Sequence, residues 1–375
     1  MKKFNKLMFG IVLCSLAGMA CKKVENLAPD AQKESAVSNN NDVANNTPTE
    51  NTKVNELNPD IDVYVGGYFF NGNYTQAAYW KNGALYPVEP SNLASVAYDV
   101  TVDQGDVYLI GTTTGLVPSY WKNGKHQKLT ETGWRGWPFS ITVKDGNAFI
   151  VGKIQESYNS PFYPVLWIID QNNLIQEIYL EDQNPIGVNA LKVFLDGDIV
   201  YIGGSNDNKA CVWIYNNGLV SRLDKGVNNG MITDIANYGG NMYLFGYNAL
   251  GGPQNLNYGY WMNDNNFISL AITGTMASIS TYKHGFDLQG KIYSVGTTSN
   301  AGSYAKWAAI WNSEGSMSQQ LSQSESSAED IELDGNDSYV AGHENGKACI
   351  WVNGNIINFT EPYSQGRGIF LYQNK

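Results

Sequence analysis

Three aspartates recur at one place in a repeating pattern: Asp99, Asp234 and Asp330 each stand near the start of a short alternating segment that runs into a turn. Carboxylates gathered at the mouth of a channel can exchange protons in acid–base chemistry or hold a cation. Polar residues are also what any water-filled channel needs on its wall. Nothing in the sequence converges on these three: there is no nucleophile elbow, phosphate loop or HExxH stretch, and His126, His284 and His343 fall at unrelated positions. No catalytic residue, metal or cofactor is therefore assigned, and whether the chain is an enzyme stays open.

A second set of residues suits binding. Trp134, Arg135 and Trp137 lie in one long irregular stretch, and Tyr158, Phe162 and Tyr163 lie in the next. Flat aromatic faces with Arg, Asn and Gln nearby fit sugar rings or peptide side chains, because apolar area supplies affinity and a few polar groups set orientation. A further candidate cluster combines Phe69, Phe70 and Tyr74 with Tyr363 and Arg367, which meet only if the two ends of the chain do.

The elements that must position these residues are given by an internal repeat. An aromatic stands three residues before a glycine at Tyr64/Gly67, Tyr108/Gly111, Phe149/Gly152, Tyr201/Gly204, Tyr243/Gly246, Tyr293/Gly296 and Tyr339/Gly342. A tryptophan follows each pair, at Trp80, Trp121, Trp167, Trp213, Trp261, Trp311 and Trp351, with a small residue two positions before it. A period of roughly 45 residues with four short strands is that of a propeller blade. The expected fold is thus all-β, a seven-bladed β-propeller of four-stranded antiparallel blades over residues 60–375. Each third-strand Trp, at about 150–250 Å² of buried surface, would fill the wedge between diverging blades.

The first repeat enters at its second strand, and the chain ends with a strand-like GRGIFLYQNK. Gly368 to Tyr372 is read as the missing first strand of blade one, so that the C-terminus closes the ring and protects its edges. First-to-second and third-to-fourth connections are tight Asn-Gly, Asp-Gly or similar turns. Second-to-third and blade-to-blade connections are long and aromatic, which places the candidate binding residues on one loop-rich face.

Ahead of the propeller, Lys2, Lys3 and Lys6 precede an apolar run to Ala20 that is too short to span a bilayer and reads as a signal peptide, residues 1–20. Gly18-Met19-Ala20-Cys21 resembles the lipobox of bacterial lipoproteins, which implies acylation of Cys21. Residues 22–59 have few large apolar side chains and read as a flexible tether. Cys211 and Cys349 share the small-residue position of blades that are not neighbours, so they are expected as buried thiols. The formal charge of −11 repels phosphate backbones and excludes nucleic acid as a partner.

The paired glycines Gly66-Gly67 and Gly203-Gly204, with the later Trp, resemble kelch-type propellers. Together with the lipobox-like start, the chain resembles bacterial envelope lipoproteins built of propeller repeats. That resemblance implies a monomeric propeller domain anchored at the cell envelope and carries no functional residues across. Three readings follow: a binding module for a glycan, peptide or partner protein; a carbohydrate-active enzyme on a propeller; or a structural subunit of an envelope assembly.

Overall fold

The computed structural model describes residues 57–374 apart from 131–132, 182–186, 250–255, 264–265, 271–277, 300–304 and 314–316. The expected signal peptide, Cys21 and nearly all of the tether lie outside the described residues. From Ile61 onward the chain is all β, in seven four-stranded antiparallel sheets. Six of these are built from consecutive strands. The seventh, blade one, takes its inner strand Gln365–Gln373 from the C-terminus, paired with Ile61–Phe70 in the register Tyr64↔Phe370 and Val65↔Ile369. The first strands of successive blades touch one another around the ring and form the wall of a central channel.

The repeat residues do what their sizes suggest. All seven third-strand tryptophans are at most 1% exposed. Several indole N–H groups reach polar partners: Trp80 donates to Glu361 Oε2 at 2.8 Å, Trp167 to Glu177 Oε2 at 2.9 Å and Trp213 to Glu181 Oε1 at 2.7 Å, whereas Trp351 Nε1 is buried without one. The small residue before each Trp lies directly across from the repeat glycine, as Gly67↔Ala78, Gly111↔Ser119, Gly204↔Cys211 and Gly342↔Cys349. Cys211 and Cys349 are free and buried.

The repeat glycine itself has a cause that the sequence did not reveal. Each inner strand carries a β-bulge at the same height, between Ala97 and Asp99 in blade two and between Ala328 and Asp330 in blade seven, for example. The bulge drives a carbonyl over the second strand. A Cβ on Gly111 would lie 1.9 Å from the Val96 oxygen, and one on Gly342 would lie 2.0 Å from the Ser327 oxygen. No side chain fits there.

The two-residue turns are also more than positive-φ positions. Asn82, Asn123 and Asn353 adopt φ near 50°. Their amides also bridge to the start of the second strand, where Asn82 Oδ1 accepts from the Val63 N–H and its Nδ2 donates to Asp62. Asn123 and Asn353 repeat this with Val107/Asp106 and Ser338/Asp337. The expected contrast between the two faces needs one correction. Second-to-third connections are long in blades one, three, five and six, but blade four turns on Asp207-Asn208 and blade seven on Asn345-Gly346, both as tight as the opposite face. The loop-rich side is therefore uneven around the ring.

Candidate functional site

On the loop-rich face the inner strand of blade three, Arg135–Lys144, pairs with Asn147–Gln155 so that Trp137 lies across from Lys153 and Arg135 from Gln155. Alternation along the strand gives Arg135 and Trp137 one side and Gly136 and Pro138 the other. The Arg135 guanidinium sits 5.0 Å from the Tyr158 ring centroid and 6.0 Å from that of Trp137. Tyr158 is 79% exposed. Trp137 in turn packs on Phe162, with ring centroids 5.4 Å apart.

Beneath them lies a residue that the sequence did not single out. The Lys153 ammonium is buried among the rings of Phe162, Trp137 and Phe139 at 5.1, 5.7 and 5.8 Å, and donates to Asn189 Oδ1 of blade four at 2.9 Å. Burial pushes its pKa down to about 8, while the surrounding ring faces favour the cation. Trp137 and Phe162 are thus partly spent on holding the protein's own lysine.

Trp134 and Tyr163 take the other direction. Both pack against the apolar core shared by blades two and three. Trp134 also lines a rim cleft of about 500 Å³ with Leu129, Ile175 and Tyr179. Tyr163 stacks edge-on to Tyr179 at 5.8 Å. The first candidate set therefore divides: Arg135, Trp137, Tyr158 and Phe162 come together, while Trp134 and Tyr163 support the fold behind them.

The second candidate set divides too. Phe70 and Tyr363 meet across the closure, edge to face at 6.4 Å, and are 41% and 75% exposed. Phe69 packs into the core between blades one and seven. Tyr74 closes its own loop, its N–H donating to Asn71 Oδ1 at 3.2 Å. Arg367 is the extra residue of its strand's bulge and is tied to Gln365 Oε1 at 2.7 Å and Glu329 Oε2 at 3.5 Å.

The three aspartates of the channel do belong to one ring, but their oxygens are engaged. In each, Oδ1 accepts the N–H of the following residue and Oδ2 accepts an N–H from the inner strand of the next blade. The interblade donors are Ile141 to Asp99 at 3.1 Å, His284 to Asp234 at 2.9 Å and Ile369 to Asp330 at 3.0 Å. They are staples between blades. Lys192 stands at the same height in blade four, 3.3 Å from Asp234. Burial opposes the charge on both, yet Lys192 and His284 hold Asp234 well below the usual carboxylate range, and the nearby aspartates raise Lys192.

Below this ring, towards the short-turn face, the channel widens into a cavity of about 560 Å³. Phe194, Tyr238, Phe286, Leu333 and Phe370 are among its lining, and Glu332 projects from blade seven two residues beyond Asp330. The crowded channel wall and then Asp330 push the Glu332 carboxyl above its ordinary value, although the side chain is exposed to the channel, with Lys192 and Lys283 pulling the other way. Among the described residues, no group of three His, Cys, Asp or Glu is placed to hold a metal ion.

No protein-family model matches the chain, and no curated protein matches its sequence. Solved structures share its fold. The β-propeller domain of the Trilobed protease from Pyrococcus furiosus, described as having an open velcro topology, is 10% identical over 82% of this chain and 94% of its own, with a TM-score of 0.50. A putative 6-phosphogluconolactonase from Bacteroides fragilis is 12% identical over 84% and 98%, with a TM-score of 0.46. Porphyromonas gingivalis dipeptidyl peptidase 4 is 11% identical over 80% of this chain, which spans 51% of that peptidase, with a TM-score of 0.44. At such identities the likeness is one of fold: this chain is a seven-bladed propeller scaffold similar to the propeller domain of a protease.

Proposed function

We propose that this chain is a binding module held at the bacterial cell envelope, presenting the loop-rich face of its propeller to a glycan, a peptide or a partner protein. The observation that carries the reading is the exposed Tyr158 ring under the Arg135 guanidinium, backed by Trp137 on the inner strand and Phe162 at the end of the loop that carries Tyr158. A flat ring with a cation beside it offers apolar area and an orienting charge. The channel aspartates favour binding over acid–base chemistry, because their oxygens already serve backbone N–H groups.

Screening the full chain against glycan, peptidoglycan-fragment and peptide arrays tests this. The double change Arg135→Ala with Tyr158→Ala is expected to abolish binding to whatever the array retains and to leave stability within about 0.5 kcal/mol, as for surface substitutions in general. Unchanged affinity in that variant would move the site elsewhere. Anchoring rests on Cys21 and the apolar run before it. Cys21→Ala is expected to release the protein from the membrane fraction and to abolish incorporation of labelled fatty acid, and a variant that stays membrane-bound would overturn the anchor.

A further inference from the structure

The charges around Arg135, Trp137, Tyr158 and Phe162 narrow what this cluster can bind. The chain has three arginines. Arg222 is held by Glu181 at 2.6 Å and Asp224 at 2.9 Å, and Arg367 reaches Glu329 at 3.5 Å. Arg135 is set apart: its Nε is buried without an acceptor, and no carboxylate pairs with its guanidinium among the described residues. The guanidinium rests instead on the ring faces of Tyr158 and Trp137. Lys153 brings a second cation to the same indole. Its ammonium is 5.7 Å from the Trp137 centroid, against 6.0 Å for Arg135, and its hydrogen-bond partner, Asn189, is neutral. Burial alone pulls the Lys153 pKa down to about 8, with no carboxylate opposing it.

The strands that carry the two cations, Arg135–Lys144 and Asn147–Gln155, contain no acid. Glu156, next in the chain, is exposed, and its charge is felt by Tyr179 on the outer strand. In a chain of formal charge −11, two cations without a counter-ion make one place that draws in anions. The shape of that place selects among them. Gln155 ties the loop that carries the exposed Tyr158, its Nε2 donating to the Tyr158 carbonyl at 3.2 Å and to the Ser160 carbonyl at 2.8 Å. The hollow among Phe162, Trp137 and Phe139 is already filled by Lys153, which leaves no recess there for an apolar peptide side chain. What remains is a broad ring beside a planar fork of hydrogen-bond donors, a match for a pyranose ring that carries a carboxylate.

We propose that the ligand of this face is an acidic glycan, bound through a uronic acid residue whose carboxylate lies on the Arg135 guanidinium and whose ring lies on Tyr158. This ligand class presupposes the binding role of the loop-rich face and gives it a chemistry. The terminal nitrogens of Arg135 donate to the two carboxylate oxygens, and Lys153 adds positive field from beneath without touching the sugar. The C–H face of the pyranose covers the Tyr158 ring and displaces water from it.

Calorimetric titration of the full chain with oligosaccharides of glucuronate, galacturonate, mannuronate and guluronate, each beside its methyl ester, separates charge from shape. One or more of the acids is expected to bind at least about tenfold more tightly than its ester, since a hydrogen bond to a charged group is worth roughly that factor or more. Arg135→Gln is expected to bring the acid down to the affinity of the ester. Arg135→Lys, which keeps the charge and loses the fork, is expected to retain part of the preference. Tyr158→Ala is expected to weaken acid and ester by a similar factor. Equal binding of acid and ester, no binding of any acid, or an unchanged preference in Arg135→Gln would overturn the acidic glycan. A neutral glycan or a peptide retained by the arrays in place of an acidic glycan, and lost in the Arg135→Ala, Tyr158→Ala variant, would overturn it while leaving the binding face standing. Arrays that retain nothing would overturn both.

Discussion

The junction between blades seven and one and the junction between blades two and three are held by the same kind of contact, yet they solve different problems. Between blades two and three the chain is continuous, and one aspartate, Asp99, reaches across to the Ile141 N–H. Inside blade one no covalent link ties the inner strand Gln365–Gln373, which follows directly from blade seven, to its partner Ile61–Phe70. Where that strand leaves blade seven, staples accumulate. Asp330 accepts from the Ile369 N–H at 3.0 Å, Ser364 Oγ accepts from the Ala348 N–H at 2.9 Å, and Glu361 accepts from the Trp80 indole at 2.8 Å. Serine staples of this kind also join Ser95 to Ala77 and Ser326 to Ala308. Among the described residues, the closing junction is the one that carries both the aspartate and the serine bridge. The aspartate and serine bridges hold the closing strand to blade seven, while its backbone ladder with Ile61–Phe70 holds it to the start of the propeller.

The largest test of that contrast removes the seam. Ending the chain after Gln365 deletes the strand that covers Tyr64 and Val65 and exposes the whole edge of Ile61–Phe70. Open, flat edges of this kind pair with other chains. The truncated protein is expected to lose its cooperative thermal transition or to aggregate, as read by circular dichroism and size-exclusion chromatography. A truncated chain that melts like the parent would show that closure contributes little.

A smaller effect compares the same staple at the two junctions. Asp99→Ala and Asp330→Ala each leave two buried N–H groups without an acceptor, at a cost of about 1–3 kcal/mol per unsatisfied group. Hydrogen exchange should separate them. Loss of Asp330 is expected to speed exchange over Gln365–Gln373 ahead of global unfolding, because that strand is joined to the rest of blade one by hydrogen bonds alone and not by the chain. Loss of Asp99 should lower the melting temperature while its junction opens only with the whole domain. Equal local opening in both would erase the distinction between seams.

Much of this organisation is written in the sequence, and the parts that are not have a common reason. The aromatic-to-glycine spacing, the seven tryptophans and the Asn-Gly turns each report a position along one strand, so a repeat search finds them. The closure followed from counting strands. What stayed hidden depends on which way a side chain leaves the backbone relative to a neighbouring blade. Trp134 and Trp137 look equivalent in sequence, but one packs on the core of blades two and three and the other stands over Lys153. Arg367 was grouped with Phe70 and Tyr363, but as the extra residue of a bulge it is tied to Gln365 and Glu329 instead. The staple role of Ser364, Asp330 and their counterparts needs two blades at once, and no single repeat contains the partner. Glu332 gave no signal because its surroundings come from other strands.

The finest difference between seams is their response to pH. Asp234 joins blades five and six and is held well below the usual carboxylate range, burial notwithstanding, by Lys192 and His284. A carboxyl depressed on folding contributes stability at neutral pH that is lost as pH falls through its folded pKa. Asp330 joins blades seven and one and behaves in the opposite sense: burial first, then repulsion from Asp99, raise it to about 6, against the pull of Lys283 and Lys192 and the Ile369 N–H. Glu332 beside it, exposed to the channel, is raised in the same direction. Between an ordinary carboxylate value near 4 and these raised values the folded state binds more protons than the unfolded one, so stability falls as pH rises across that window. The closing seam should therefore loosen from about pH 5 to pH 9 while the Asp234 seam holds. Exchange rates corrected for intrinsic pH dependence are expected to rise over Gln365–Gln373 and to stay flat over Gly230–Tyr238. Glu332→Gln removes one of the two raised carboxyls, and is expected to raise the melting temperature at pH 9 more than at pH 5. An unchanged difference between those two temperatures would show that Glu332 is not strained by its surroundings.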